Sequence, residues 1–159
     1  MKNKKILAFV LAIMMLFIQI ISVSAEETGT DEWYELVEED FEMDTVPEQD
    51  IAPYSLYLMN VLSSIVKINS SKVGMRADVL CAGVMDKITV VFYLQKLSGT
   101  SWNTVGSTTV YATNVSSTVK SVTASNLSKG TYRTKTSVLV TVSGYSETLT
   151  SYSGSINLK

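Results

Sequence analysis

A chain of 159 residues with 13 basic and 15 acidic side chains, no histidine and one cysteine is long enough for one domain with a modest core. The lack of histidine removes the commonest general base and metal ligand and excludes histidine-held catalytic zinc. The lone thiol, Cys81, excludes an internal disulfide, so stability must come from packing.

The chain opens with Met1-Lys2-Asn3-Lys4-Lys5, then thirteen apolar residues from Ile6 to Ile18, and Val23-Ser24-Ala25 before Glu26. A basic start, an apolar run and small residues at a cut site make a secretory signal, cleaved after Ala25. The competing reading is an uncleaved anchor, but a spanning helix needs about 20 predominantly apolar residues. Gln19 and Ser22 leave this run short. The expected product is secreted and meets the membrane only through the signal peptide before cleavage.

From Glu26 to Asp50 there are twelve acids and no base, while Ile51 to Lys159 holds three acids and ten bases. Two segments charged −12 and +7 therefore follow one another. Self-repulsion favours a disordered tail or linker over residues 26–54. Trp33, Leu36, Val37 and Phe41, spaced i, i+3, i+4, i+8, also fit the stripe of a transient amphipathic helix. Pro47 would stop such a helix. One reading is a solubilising spacer. The other is a segment that folds against a basic or hydrophobic surface, possibly its own domain, covering the face around Arg133 and Lys135.

Serine and threonine supply 33 of the 109 residues after Asp50, and proline is absent after Pro53. That composition suits strands with one solvated face, and no window keeps helical periodicity. Seven strands are expected near 60–68, 73–82, 87–97, 102–112, 115–124, 131–142 and 146–158. Gly99 and Gly144 mark hairpins. In the second strand Cys81 alternates with Val73, Met75, Ala77 and Val79, as a small buried hydrophobe would. In the third, Ile88, Val90, Phe92 and Leu94 share the inward face.

The fold class is therefore all-β, a single antiparallel sandwich over residues 55–159. Tyr132, following Leu127-Ser-Lys-Gly130-Thr, sits where immunoglobulin-like and fibronectin-III-like sandwiches carry a corner tyrosine bonded back to nearby backbone. With Tyr132 inward, Thr134, Thr136, Val138, Val140 and Val142 follow it, and Arg133, Lys135, Ser137 and Leu139 face out. Position 134 is threonine and strand C offers Phe92, so the antibody disulfide and tryptophan are both missing.

Phe92-Tyr-Leu-Gln-Lys96, Trp102 after its glycine turn, Gly130-Thr-Tyr-Arg-Thr-Lys135 and Glu147-Thr-Leu-Thr-Ser-Tyr-Ser153 resemble an uncharacterised family of small secreted β-sandwich proteins of Gram-positive bacteria. The likeness covers most of residues 55–159 and none of the acidic segment. It implies secretion and a sandwich fold, and no activity.

Three scattered acids (Asp78, Asp86 and Glu147) make neither a calcium loop nor an obvious carboxylate pair. No G-x-S-x-G element occurs. The three Asn-x-Ser/Thr matches, at Asn69, Asn114 and Asn126, are weak signals in so serine-rich a chain. No catalytic residue, metal ligand or cofactor is expected. Strands C and F are neighbours in such sheets, which brings Tyr93 and Gln95 beside Arg133 and Lys135. That face either is plainly solvated or holds a sugar, an anionic polymer or an acidic peptide. The expected function is a secreted, non-catalytic binding module whose partner is an anionic cell-wall polymer, a glycan or a protein. Nucleic acid is not expected, since the tail would repel phosphates. The alternatives are a precursor that releases 26–50, and a hydrolase built on a serine–lysine pair.

Overall fold

The structure, a computed structural model, describes residues 32–43 and 56–159. The leader, its cut after Ala25 and the junction at Asp50–Tyr54 lie outside the described residues. Six strands are present: β1 (Leu36–Glu38), β2 (Leu58–Lys67), β3 (Val73–Ser98), β4 (Ser101–Ala124), β5 (Gly130–Val142) and β6 (Tyr145–Leu158). All pairings are antiparallel, along β1-β4-β3-β5-β6 with β2 beside β3.

Six strands replace the expected seven because four of the expected segments fuse in pairs, leaving five, and Leu36–Glu38 adds one. Residues 73–82 and 87–97 are one strand, as are 102–112 and 115–124. Gly83 does not break β3 but lies in an irregularity, where the register passes from Leu80↔Ser117 to Met85↔Val115. Extra residues on one strand of a pair bend it. On β4 the bend coincides with Asn114, which takes a left-handed φ of 56°, a conformation asparagine tolerates better than most residues.

The bends carry both strands from one layer to the other. The first half of β3 lies between β2 and the end of β4, and its second half between the start of β4 and β5, with β6 beyond. β2 packs on β5 and β6 without pairing with either. In immunoglobulin-like terms β2 is strand A, β3 is B then C, β4 is C′ then E, β5 is F and β6 is G. The edge beside E, where strand D pairs in constant-type domains, is occupied by β1.

Both hairpins form as expected. Ser98↔Ser101 closes the first around Gly99-Thr100, and Val142↔Tyr145 closes the second. Ser143 and Gly144 both have positive φ, 48° and 82°, as a type I′ turn requires. The core lies between the layers: Phe92, Ile88, Val90 and Leu94 meet Val73, Met75, Val122, Val138 and Val140, all essentially without exposure. The inward alternation Tyr132, Thr134, Thr136, Val138, Val140 holds throughout β5. Cys81 is buried, and desolvation, with the Glu147 carboxylate second, pushes its thiol pKa up. It stays protonated, a packing residue and not a nucleophile.

Candidate binding face

The C-C′-F-G layer presents one outward face built from β3, β4, β5 and β6. Because side chains alternate along a strand, the cross-strand register decides which of them meet. Tyr93 lies opposite Lys135 and Gln95 opposite Arg133, so the four expected residues are neighbours. Arg133 Nε donates to Gln95 Oε1 at 2.8 Å. The Arg133 guanidinium sits between two rings, 4.4 Å from the Trp102 centroid and 4.7 Å from that of Tyr152. Lys135 Nζ is 5.3 Å from the Tyr93 ring, and Lys87 Nζ is 4.1 Å from that of Tyr111.

Gln95 departs from the expectation of a solvated side chain. It is buried, held by Arg133 on one side and weakly by Thr104 at 3.5 Å on the other. Its role is to fix the guanidinium, while Arg133, Lys135 and the rings form the accessible surface. Trp102, Tyr152, Lys87 and Tyr111 were not among the expected site residues. Their signal was in the hairpins: the turn closed by Val142↔Tyr145 sets Lys135 opposite Tyr152.

The outward positions of these strands carry three cations and no carboxylate. Glu147 on β6 turns toward strand A, accepting from the Leu56 and Tyr57 amides at 3.2 and 2.8 Å. Asp86 accepts from the Ser143 amide at 2.8 Å, at the hairpin. Among the described residues, the Nη groups of Arg133 make no hydrogen bond and Lys135 forms no ion pair.

The acidic segment folds against its own domain, as one of the two readings had it, but neither as a helix nor over the expected face. Residues 36–38 form a strand, not a helical turn, with Leu36↔Ala124, Val37↔Thr123 and Glu38↔Val122. The Tyr34 amide donates to the Val105 carbonyl at 2.7 Å, and the Glu39 amide to that of Ser121 at 3.2 Å. An open sheet edge offers backbone partners that a short isolated helix, crowded with acids, cannot match. The extended form also spreads the carboxylates to separate lysines: Glu32–Lys96 at 2.6 Å, Glu39–Lys72 at 2.7 Å and Glu38–Lys120 at 2.8 Å. The supposed stripe splits. Leu36 is buried and Phe41 lies over Gly74, while Trp33 and Val37 remain exposed.

The domain boundary placed after residue 54 excludes a strand that belongs to the sheet. The lysines engaged by the segment are Lys72, Lys96 and Lys120, not the expected Arg133 and Lys135, because the strap starts at the corner beside Lys96, pairs along strand E and crosses the A-B-E layer.

The start of this strap meets the tyrosine corner. Tyr132 Oη donates to the Ser128 carbonyl at 2.9 Å, the expected corner bond, and lies 3.2 Å from Ser128 Oγ. Glu32 accepts from Lys96, Tyr34 Oη and Ser128 Oγ, and the Ser128 amide donates to Tyr34 Oη at 3.1 Å. Here is the one serine–lysine pair with hydrogen-bond geometry among the described residues, Lys96 Nζ to Ser128 Oγ at 2.6 Å. A lysine base must be neutral. Burial pulls Lys96 down, but its hydrogen bond to Glu32 and the charges of Tyr132, Glu32 and Tyr34 outweigh it, and the net direction is up. Lys96 remains an ammonium that donates to Ser128, and the pair is structural.

The hydrogen bond from Lys72, then that from Thr123, lowers the Glu39 pKa, and those from Lys96 and Tyr34 lower that of Glu32. A depressed carboxylate stabilises the bound form above its free pKa and loses that stabilisation as pH falls through the depressed value. Strap docking is therefore expected to hold at neutral pH and loosen below the ordinary carboxylate range. Amide exchange checks this: protection at Tyr34 and Glu39, relative to Phe92, should fall on acidification and in 1 M salt.

No family model matches the chain, and no curated protein matches it. Among solved structures it is similar to the GAE domain of GGA2p from Saccharomyces cerevisiae, with 16% identity and a TM-score of 0.36 over 69% of this chain and 96% of that one. A likeness at that level says nothing about what this chain binds.

Proposed function

We propose that this chain is an exported, non-catalytic binding module whose C-C′-F-G face takes an extended anionic polymer of the cell envelope, one that carries sugar rings. The observation that carries the reading is Arg133, fixed by Gln95 between Trp102 and Tyr152 in a face with three cations and no carboxylate. The basic start, apolar run and small-residue cut site before Glu26 support export.

An arginine held in this way loses little rotamer freedom when an oxyanion arrives, and its fork matches phosphate or carboxylate in two-point contact. Lys135 and Lys87 extend the charge along the same face, as a linear polyanion requires. The rings of Trp102, Tyr93, Tyr111 and Tyr152 offer flat apolar surface for sugars. Each contact is weak alone, and a polymer with repeating charges gains by binding several at once. The strap pairs with a different set of lysines and leaves these cations to the ligand. Release of residues 26–50 as an active product is disfavoured, since 32–43 are bound into the sheet.

Retention on a purified anionic envelope polymer tests the proposal. Arg133→Gln is expected to weaken binding about tenfold, the scale of one charged hydrogen-bonded contact, while Lys72→Gln leaves it nearly unchanged. Equal effects of the two, or no retention of the wild-type chain at 50 mM salt, would overturn it.

A further inference from the structure

We propose that the seat of residues 32–43 is a strand-addition site that exchanges this acidic segment between copies of the chain, so that the strap of one copy pairs with strand E of another. This goes beyond the polymer-binding reading and uses a different surface.

The seat has the parts of a peptide site. The end of β4 supplies the backbone edge, over Val122–Ala124. Two glycines make room for side chains: a Cβ on Gly106 would lie 2.5 Å from both Leu36 Cδ1 and the Tyr34 carbonyl oxygen, and one on Gly74 would lie 2.6 Å from the Phe41 ring. Three lysines from separate places in the fold, Lys72, Lys96 and Lys120, each take one strap carboxylate. Main-chain pairing, alternate side-chain niches and charge matching are what recognition by strand addition uses. The seat therefore reads acids at 32, 38 and 39 and apolar groups at 36 and 41.

The core does not depend on which copy supplies the strap. Its fully buried side chains, Phe92, Tyr132, Met75 and the rest, come from β2 to β6, and Leu36 is the strap's one contribution to the buried core. Twelve residues, 44–55, separate Met43 from Leu56 in the sequence. Thirteen peptide steps reach at most about 43–47 Å, far more than the six steps from Leu58 to Ser64, the partner of Met43 on β2, span. Connectivity thus leaves the seat open to an identical strap from elsewhere. A strap charged against its seat, present on every copy, makes a head-to-tail contact. The copies compete on nearly equal terms once chain concentration approaches the local concentration of the tethered strap, around millimolar for a short linker.

The test uses the unmodified chain. Equal amounts of 15N-labelled and unlabelled full-length protein are mixed at 1 mM, equilibrated, and treated with a carbodiimide, which joins carboxylate to amine where they touch. Mass spectrometry then reads the peptides linking Glu32, Glu38 or Glu39 to Lys96, Lys120 or Lys72. The proposal expects mixed-isotope links to make up about a quarter of the total, half of the seats being filled in trans at a chain concentration equal to the local one. Their share should fall tenfold or more at 20 μM. Same-isotope links alone at every concentration would show a strap fixed in its own chain and overturn the proposal. Mixed links that favour Lys87 or Lys135 over the seat lysines would overturn it equally.

Discussion

Phe92→Ala is expected to lower the unfolding free energy by about 3–5 kcal/mol, a fall in Tm of roughly 10–20 °C for a domain of this size. Phe92 has no exposure, sits mid-strand in β3, and is paired on both sides, with Thr108 and Thr136. A cavity there is walled by sheet on two sides and by the other layer on the third, so collapse is restricted. Tyr93→Ala, one residue on, removes an outward ring that meets the Lys135 ammonium and should cost about 1 kcal/mol or less. Thermal melts of the two variants decide the register: the opposite ranking would place every outward residue of β3 on the wrong face.

The inward parity of β3 and β5 was legible because both strands alternate cleanly around large residues, Phe92 and Tyr132. The corner bond of Tyr132 to Ser128 followed from its place near the start of strand F. The pairing of Arg133 with Gln95 followed from the adjacency of C and F in sandwich sheets. Strand division was not legible in the same way. The expected strands left gaps at 83–86 and 113–114, yet each gap marks a bend inside a long strand, a distinction made by the partner strand and not by the local sequence. The acidic segment misled for a related reason. Its spacing of Trp33, Leu36, Val37 and Phe41 matches a helix, but what decides its form is an open edge more than 80 residues away. Only the pairing Leu36↔Ala124 explains why Leu36 is buried and Trp33 is not.

Gly106→Ala is expected to unseat the start of the strap and cost about 2–3 kcal/mol, chiefly the burial of Leu36. The added methyl would meet a backbone oxygen, that of Tyr34, as well as Leu36 Cδ1, both at 2.5 Å. Gly106 is buried and pairs with Leu94 in the body of the sheet, whereas the strap is held by three paired residues and exposed ion pairs. The strap is the part that yields. Amide exchange should then show protection lost at Tyr34 and retained at Phe92 and Val138. Gly83→Ala and Gly154→Ala, where an added methyl meets nothing within 4 Å, should stay within about 0.5 kcal/mol of wild type. A Gly106→Ala variant as stable as these would mean that the strap contributes nothing to the fold.

The arrangement gives two oppositely used surfaces on one sandwich. Lysines 72, 96 and 120 are occupied by the chain's own acids, and Arg133, Lys135 and Lys87 are paired with rings instead. The domain's formal +7 is thus divided between a neutralised side and a presented one. This division leaves a cationic face on a chain whose net charge is negative.

Titration of the 15N-labelled full-length chain with a soluble anionic glycopolymer, followed by amide and side-chain shifts, measures that division directly. The largest changes are expected on the Trp102 indole N–H, the Arg133 Nε–H and the amides of Tyr93, Lys135 and Tyr152, with Val37, Glu38 and Glu39 unmoved. Changes centred instead on Lys72, Lys120 and the strap, with Trp102 and Arg133 silent, would contradict it.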